Sequence, residues 1–222
     1  MHIPDGFLTP EVAAACAVPA IGAVGYGLRR ASRDLDERRV PLLGVTAAFV
    51  FAVQMLNFPV AGGTSGHLLG GCLAAVLVGP WVGSLAMAVV FLVQALVFAD
   101  GGLTALGLNI VMMGYATCFG GYAIFLLIRK LLPATKGAVT AAAAIASWCG
   151  VVLASGVFVL YYAIGGTGDA PIGTVAIAMV GVHSLVGIGE AVITGLTVGA
   201  VLATRPDLVY GARDLRPKLV SS

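Results

Sequence analysis

The chain has 222 residues, of which 59% are hydrophobic and only 10% are charged, and its mean hydropathy is +1.03. An ordinary soluble domain carries far more charged residues, so this composition excludes a soluble protein and predicts a chain that lies largely in a lipid bilayer. The formal net charge of +2 comes from short clusters rather than from a basic face, so we expect no nucleic-acid partner.

The amino-terminal sequence MHIPDGFL differs from an insertion signal because no Lys or Arg precedes the apolar residues. The Met1 amine, the backbone nitrogen of His2 and the His2 Nδ1 atom can close a five-membered and then a six-membered chelate ring on one metal ion, provided that the amide loses its proton. The tripeptide PDG at positions 4–6 predicts a turn that folds this segment inward. Residues 1–8 are therefore predicted to form a metal-binding plug.

Six long apolar stretches without Lys or Arg follow, each near or beyond the ~20 residues that a membrane-spanning helix needs. The third is interrupted by Gly79-Pro80, so it forms either one kinked helix or two helices joined by a tight turn. All twelve Lys and Arg lie in three segments, and only the two-helix alternative, with seven spans, places all three on the cytoplasmic side. The apolar stretches run approximately over residues 9–28, 41–58, 67–98, 106–128, 137–164 and 172–203, and the cationic segments over 29–39, 129–136 and 205–218.

The expected fold is thus an all-α membrane protein with a single transmembrane domain, residues 1–222, that contains seven transmembrane helices. Residues 9–203 are expected to form the helix bundle and residues 204–222 a cytoplasmic tail. The amino terminus is expected outside the membrane and folded into a pocket, and the carboxyl terminus in the cytoplasm.

The position of His67 predicts where that pocket lies. The stretch from His67 to Val78 has only 12 residues, which is ~18 Å of helix against a hydrocarbon core of ~30 Å. His67 should therefore lie below the outer surface, and the preceding loop PVAGGTSG must dip inward. Non-helical backbone at that depth is tolerated only where protein or a water-filled cavity surrounds it. A second imidazole from His67 would complete a plane of four nitrogen atoms, which suits Ni(II), Cu(II) or low-spin Co(II) better than Mg(II) or tetrahedral Zn(II).

Three motifs together resemble one known family: MHIPDGFL at 1–8, QMLNFPVAGGTSGHLLGG at 54–71 and DGGLTALGLNIVMMG at 100–114. They are similar to the signatures of the CbiM/NikM family, the substrate-capture (S) subunits of energy-coupling-factor transporters for cobalt and nickel. The resemblance covers most of the chain. It implies seven transmembrane helices, an amino terminus that occupies the substrate site, and metal ligands at Met1 (amine), His2 (amide and imidazole) and His67 (imidazole).

The same resemblance implies a substrate, partners and a location. The substrate is Co²⁺ for cobalamin synthesis, because the chain looks more like the cobalt branch; a nickel-specific subunit that takes Ni²⁺ is the alternative. The expected partners are a transmembrane coupling (T) subunit, two ATPase subunits and a small accessory membrane subunit, and this chain is expected in the cell inner membrane. The chain has no Walker A motif, so we expect the partners to hydrolyse ATP and this multi-pass subunit not to be an enzyme.

Other polar residues lie in the same motifs or inside the predicted spans. His183 and Glu190 are seven residues apart on one helix, and they either make hydrogen bonds that fix helix packing or couple pocket occupancy to a partner subunit. Four motif residues are expected to orient the ligand imidazoles or the plug through hydrogen bonds, namely Asn57, Thr64, Ser65 and Asn109.

One alternative belongs to a different functional class. The sequence GTSG at 63–66 has the form found in rhomboid-type intramembrane serine proteases, with Ser65 as the nucleophile and His183 as its base. The match is four residues long, and it leaves the MHIPDG opening unexplained. We therefore favour the metal-capture hypothesis.

Overall fold

The computed structural model describes residues 1–34, 40–60 and 64–215. Nearly all of the described chain is helical, and the prediction of an all-α membrane protein is confirmed, apart from one short antiparallel strand pair in which Val60 lies opposite Thr64. The elements are α1 (Pro10–Asp34), α2 (Val40–Gln54), β1 (Phe58–Val60), β2 (Thr64–Gly66), α3 (Gly71–Val78), α4 (Pro80–Val97), α5 (Leu106–Asn109), a π-helical segment (Ile110–Gly121), α6 (Tyr122–Leu131), α7 (Lys136–Gly165), α8 (Ile172–Thr204) and a final 3₁₀ helix (Tyr210–Leu215).

Five helical segments of the described chain are long and apolar enough to cross a membrane. Helix α2 is also apolar but has 15 residues, and α3 has eight, so neither reaches the ~20 residues of a full crossing. Length and composition therefore support five spans, and seven crossings remain a prediction. The five are Pro10–Arg33, Pro80–Val97, Leu106–Leu131, in which α5, the π-helical segment and α6 are continuous, Lys136–Gly165 and Ile172–Thr204.

The predicted break in the third apolar stretch is confirmed, and α3 and α4 meet at Gly79. Its φ of 96° lies in the region that favours glycine, and Pro80 opens α4, where the missing N–H costs nothing. All eight residues of α3 are buried, as expected for a helix that is apolar on every side. Helix α3 begins at Gly71 rather than near His67, so the predicted short helix is shorter still and His67 lies on non-helical chain.

One end of the bundle carries the cationic segments, as far as they are described. The last turns of α1 contact the start of α4, the 3₁₀ helix contacts the α3–α4 turn, and the end of α6 pairs with the 3₁₀ helix. This common location agrees with the argument that placed all three segments on one side of the membrane. The contacts are Tyr26 with Trp81, Gly79 with Tyr210, and Arg129 with Asp214.

The opposite end carries the plug, residues 1–8. Its last residues are tied to the loop between α7 and α8 through a β-bridge between Leu8 and Gly166 and a hydrogen bond from the Thr167 N–H to the Phe7 carbonyl (3.1 Å). From there the chain runs inward, so that Met1 belongs to the same buried cluster as side chains from α4, the π-helical segment and α8.

Candidate metal centre

The first three residues of the plug are buried inside the bundle. The exposed fractions are 0% for Met1, 4% for His2 and 1% for Ile3, whereas Asp5 and Gly6 are exposed. The Ile3 N–H donates to Asn109 Oδ1 (2.8 Å), and Asn109 Nδ2 donates back to the Ile3 carbonyl (3.1 Å). The structure thus places Asn109, one of the four residues expected to orient the site, as a two-point clamp on the backbone of the plug.

A second set of contacts holds the plug against the loop between α4 and α5. The Asp5 carboxylate accepts hydrogen bonds from the Thr104 N–H (2.8 Å), the Thr104 hydroxyl and the Leu103 N–H (3.3 Å). These hydrogen bonds, led by that of the Thr104 side chain, lower the pKa of Asp5. The Gly102 N–H donates to the Ile3 carbonyl (2.9 Å), so the plug and this loop are joined along several residues.

The His2 side chain is enclosed by polar and aromatic groups. Its Nε2 atom donates to Gln94 Oε1 (3.1 Å), and its Nδ1 atom lies 3.3 Å from Asp100 Oδ1. The ring stacks on His67 with 4.6 Å between centroids and 26° between planes, and it meets the edge of Phe91 at 5.7 Å. The plug therefore delivers one imidazole directly onto the other.

His67 presents a free lone pair to the centre of the site. The residue is 0% exposed, and its Nδ1 atom lies 2.7 Å from the Leu68 carbonyl oxygen, which can only accept a hydrogen bond. The ring proton of a neutral imidazole is therefore on Nδ1, and the Nε2 lone pair has no hydrogen-bond partner within the described part of the chain. Such a buried, unsatisfied acceptor is costly unless something binds there.

The segment that carries His67 is fixed from two helices. The Glu190 carboxylate on α8 accepts hydrogen bonds from the Leu69 N–H (2.8 Å) and the Gly70 N–H (2.7 Å), and Gln54 Nε2 on α2 donates to the Leu69 carbonyl (2.5 Å). Glu190 thus joins α8 to the backbone of the segment that carries His67, which differs from the interhelical hydrogen-bond pair with His183 that the sequence suggested. His183 bonds within its own helix instead, because its Nδ1 donates to the Met179 carbonyl (2.8 Å).

Charge in this region is set by burial and by the contacts between groups. Burial lowers the pKa of the Met1 amine to about 4, so the neutral amine, which has a lone pair, is the form at neutral pH. Burial alone would raise the pKa of Asp100, but its contact with His2 and a hydrogen bond from Asn57 outweigh that effect and lower it. Burial also lowers the pKa of His2, so the plug brings a neutral amine and the His2 imidazole next to an ionised carboxylate.

The other residues expected to orient the site are placed as follows. Asn57 Nδ2 donates to Asp100 Oδ2 (2.9 Å), so Asn57 acts on the carboxylate beside His2 and has no bond to His67 among the described contacts. The backbone of Thr64 and Ser65 forms strand β2, but their side chains lie outside the described part of the structure.

Sequence reasoning missed three residues that build this region, namely Asp100, Gln94 and Gln54. Gln94 and Gln54 are buried amides inside apolar helices, and the rule that intramembrane polar residues face the bundle interior would have found them. Asp100 opens the third motif, directly after an apolar span, and its acidic side chain was the available clue.

The side chains of this region also limit which groups can act as metal ligands. Within the described ranges, no group of three His, Cys, Asp or Glu side chains is arranged to hold a metal ion. A metal bound next to His2 and His67 must therefore take further ligands from the chain itself, and the Met1 amine and the His2 amide are the nitrogen atoms that the plug supplies.

Apolar helices around a buried amino terminus and two stacked imidazoles define a multi-pass membrane protein with a nitrogen-rich binding site. Residues 2–208 match the family model CbiM, cobalt uptake substrate-specific transmembrane region, and the chain belongs to this family. It is a transmembrane subunit for uptake of a transition metal, cobalt or nickel, and not an enzyme.

Similar proteins carry both metal names. A putative metal transport protein of Haloquadratum walsbyi is 41% identical, over 95% of this chain and 94% of its own length. The cobalt transport protein CbiM of Sorangium cellulosum is 34% identical, over 94% of each chain, and a putative fused nickel transport protein NikMN of Archaeoglobus fulgidus is 39% identical, over 94% of this chain and 68% of its own. A crystal structure of a transition metal transporter covers 98% of this chain, and all of that one, with a TM-score of 0.85 and 29% identity.

The protease alternative is therefore wrong. The family is one of transport proteins, and the structure supplies a physical reason as well. Ser65 lies in strand β2 rather than at the start of a helix, and His183 Nδ1 donates its hydrogen bond to the Met179 carbonyl of its own helix.

Proposed function

We propose that the chain is the substrate-capture subunit of an ATP-driven energy-coupling-factor importer of divalent cobalt, which supplies cobalt for cobalamin synthesis. The captured ion bonds to four nitrogen atoms: the Met1 amine, the His2 amide, His2 Nδ1 and His67 Nε2. The ion is the cargo, and the plug closes over it because two of its own residues are ligands.

The observation that carries this proposal is the unpartnered Nε2 lone pair of His67. It is fully buried, and the ring that bears it is stacked on the imidazole that the plug inserts. The Met1 amine is also fully buried, and it is in its neutral, ligand-competent form. Metal ligands must be deprotonated before they bind, and the amine loses its proton when the plug docks, because burial lowers its pKa.

The nitrogen set favours a particular group of metals. Amine, amide and His2 Nδ1 occupy three adjacent corners of a plane because the two chelate rings share the amide nitrogen, which leaves the fourth corner for His67. A four-nitrogen plane suits Ni(II), Cu(II) and low-spin Co(II), whereas Mg(II) requires oxygen ligands and Zn(II) prefers a tetrahedron.

Cobalt is favoured over nickel by the family description, which names cobalt uptake. A nickel-specific subunit of the same transporter class is the second candidate, since relatives of both names are similar over most of this chain.

The proposed function includes partners and an orientation. ATP hydrolysis falls to two ATPase subunits, which act through a transmembrane coupling subunit, and a small accessory membrane protein completes the complex in the inner membrane. The plug, residues 1–8, enters the bundle from the outer side of the membrane. Residues 9–203 cross the membrane seven times, and residues 204–222 lie in the cytoplasm. The clustering of the described cations at the end opposite the plug supports this orientation.

Cysteine labelling tests the orientation. Asp169→Cys, in the exposed loop that anchors the plug, should react from outside with an impermeant thiol reagent, whereas Ser32→Cys near the end of α1 should react only after the membrane is opened. The unsubstituted chain, with its four cysteines in apolar helices, gives the background. Labelling of Ser32→Cys from outside would show that the orientation is the reverse of the one proposed.

Metal binding by the purified protein tests the capture function. The native protein should bind one Co²⁺ or Ni²⁺ per chain, and His67→Ala should lose at least 100-fold in affinity, because a ligand bond is removed. Asp169→Asn, which removes an exposed carboxylate from the same end, is the matched control and should bind normally. Native affinity in a folded His67→Ala protein would remove His67 from the site.

A further inference from the structure

A cavity of about 470 Å³ lies at the cationic end of the bundle, between the end of α6 and the final 3₁₀ helix. Its volume falls within the ~300–1,000 Å³ of typical small-molecule sites. The side chains around it include three cations and one carboxylate, which leaves two net positive charges, so the cavity suits an anion. The charged and aromatic lining residues are Arg129, Lys130, Arg213, Asp214, Tyr122 and Tyr210.

Arg129 is fixed at the wall of this cavity. Only 9% of its side chain is exposed, its Nη1 atom donates to the Pro133 carbonyl (2.8 Å), and its Nη2 atom donates to Asp214 Oδ2 (2.5 Å). A guanidinium has more N–H donors than these two bonds use, so further donors can serve a ligand. The ion pair also joins the end of α6 to the 3₁₀ helix, so it fixes the two walls of the cavity relative to each other.

Arg213, next to Asp214 in the chain, is exposed but has a defined position. Its guanidinium carbon lies 3.6 Å from the centroid of the Tyr210 ring, in the geometry of a cation–π contact. The Tyr210 ring in turn meets Tyr122 edge to face, with 5.9 Å between centroids. The positive-inside bias depends on the number of cations on each side of a membrane and requires no such packing. The arrangement therefore indicates a binding site in addition to a topology signal.

The cavity adjoins the lipid-facing surface of α6. Leu126 lines the cavity and is exposed, and Leu127 and Leu131 are further exposed leucines on the same helix. Arg129 and Lys130 occupy the last turn of α6, where the membrane-crossing segment ends. Cations at the end of an apolar span lie at the level of the lipid headgroups. A ligand of this cavity therefore meets cations at one side and a hydrocarbon-facing surface at the other.

A phospholipid with a net negative charge has both of the features that this surface requires. Its phosphate oxygens can accept hydrogen bonds from Arg129, Lys130 and Arg213, and a guanidinium matches the geometry of a phosphate particularly well. Its acyl chains can lie along Leu126 and the leucines beside it. Basic pockets next to membrane-crossing helices bind anionic headgroups in this way.

We propose that the cavity between α6 and the 3₁₀ helix binds the phosphate of an anionic phospholipid. Arg129, Lys130 and Arg213 contact the phosphate, and Leu126 contacts the acyl chains. The site is separate from the metal centre, which lies at the opposite end of the bundle. A bound lipid contacts both α6 and the 3₁₀ helix, so it stabilises the cationic end of the protein.

The test measures lipid binding by the purified full-length chain in detergent. Phosphatidylglycerol, phosphatidylcholine and inorganic phosphate are titrated separately, bound lipid is counted by native mass spectrometry, and the temperature of thermal unfolding is recorded. Phosphatidylcholine carries the same phosphate without a net charge. The test variant is Lys130→Gln/Arg213→Gln. The matched control is Lys136→Gln/Arg205→Gln, which removes two exposed cations from the same end but not from the cavity lining.

The native protein should bind phosphatidylglycerol about tenfold more tightly than phosphatidylcholine and should unfold at a higher temperature with it. Loss of both cavity cations should weaken phosphatidylglycerol binding about 25-fold, or about fivefold for each cation. The control variant should lose about threefold or less, because its cations act only through a screened field. Both variants replace exposed side chains, so both should fold.

Four results would overturn the proposal. Equal losses in the two double variants would mean that the cations attract lipid only through their general field, and equal binding of the two lipids would mean that net charge is not recognised. Stabilisation by inorganic phosphate equal to that by phosphatidylglycerol would assign the cavity to a free anion. Normal phosphatidylglycerol binding by Lys130→Gln/Arg213→Gln, with loss of copurification with the coupling subunit, would assign the cavity to a protein partner.

Discussion

Hydrogen bonds from buried polar groups fix the plug end of the bundle, whereas the opposite end is fixed mainly by apolar and aromatic packing, with the Arg129–Asp214 ion pair at its surface. At the plug end, Asn109 clamps Ile3 and Glu190 holds the backbone that follows His67. At the other end, the 3₁₀ helix buries Val209 and Ala212 and sets the Tyr210 ring against the α3–α4 turn.

This difference separates the end of the bundle from which the plug must undock from the end at which the helices must stay packed. A hydrogen bond within the protein can be replaced by hydrogen bonds to water at a small net cost in free energy. Apolar packing contacts are lost only when the packed elements separate. Helix α3, buried along its whole length, starts just after the Gly70 N–H that Glu190 binds and ends at the turn that Tyr210 covers. We therefore expect changes at the plug end to alter metal binding without unfolding the protein, and changes at the other end to do the reverse.

The largest effect should come from extending the amino terminus. A tag fused ahead of Met1 turns the amine into an amide and adds bulk where that residue is fully buried, so cobalt accumulation in cells with the whole transporter should fall to background. A tag at the carboxyl terminus is the control and should be harmless. Normal accumulation with the amino-terminal tag would mean that the amine is not a ligand.

Gly102→Ala should block the plug without touching any proposed ligand. A Cβ atom at this position would lie 2.4 Å from the Asp5 nitrogen and from Asp5 Oδ1, so the plug cannot seat as observed. We expect metal affinity to fall about 100-fold, by analogy with the loss of groups that orient ligands, at nearly unchanged thermal stability. Gly173→Ala, with nothing within 4 Å of the new Cβ, is the matched control, and equal affinities for both variants would argue against plug closure.

Acidification should weaken metal binding steadily. An undocked amine has a pKa of about 8, and in the docked plug burial lowers the pKa to about 4. The undocked state therefore binds more protons between these two values, so docking is favoured as pH rises and is lost as pH falls. This proton alone should change metal affinity up to about tenfold per pH unit between pH 5 and 8. Affinity that is independent of pH over this range would exclude burial of a neutral amine.

The smallest effect on metal binding should come from Gly79→Ala at the other end. Its φ is 96°, and a Cβ atom would lie 2.8 Å from Tyr210 Cε2, so the change should cost about 2 kcal/mol of stability, seen as a lower temperature of thermal unfolding in detergent. Gly44→Ala, on an exposed helix position with no close neighbour, should not lower it. Metal affinity of the folded protein should be unchanged, and a large loss would show that the two ends are not separable.

The helices were predictable from sequence because apolar runs and cation placement report directly on burial in a membrane. The break at Gly79-Pro80 was equally predictable, since a positive φ and a missing N–H are properties of those two residues. The prediction was less accurate at His67, where the helix begins four residues later, at Gly71. The reason is that Glu190, 120 positions away from Gly70, binds the intervening N–H groups.

The plug shows the same limit of prediction from sequence, which is that contacts between residues far apart in the chain are not predicted. Its sequence predicted a chelating segment that turns inward, because the chelate rings and the turn depend on neighbouring residues only. It did not predict the contacts of that segment with Gln94, Asp100 and Asn109, which are roughly ninety to over a hundred positions away in sequence. Such partners are set by helix packing, and a single sequence carries no direct record of which distant side chains meet.

The most direct test of the central claim is X-ray absorption spectroscopy at the metal edge of the nickel- or cobalt-loaded protein. The proposal predicts a first shell of light atoms at ~2.0 Å with outer-shell scattering from two imidazoles, those of His2 and His67, and no sulfur neighbour despite the buried Met1 side chain. His67→Ala loaded at high metal concentration should show one imidazole. A native spectrum with no imidazole, with one only, or with a sulfur ligand would contradict the assignment of Met1 amine, His2 and His67 as the metal site.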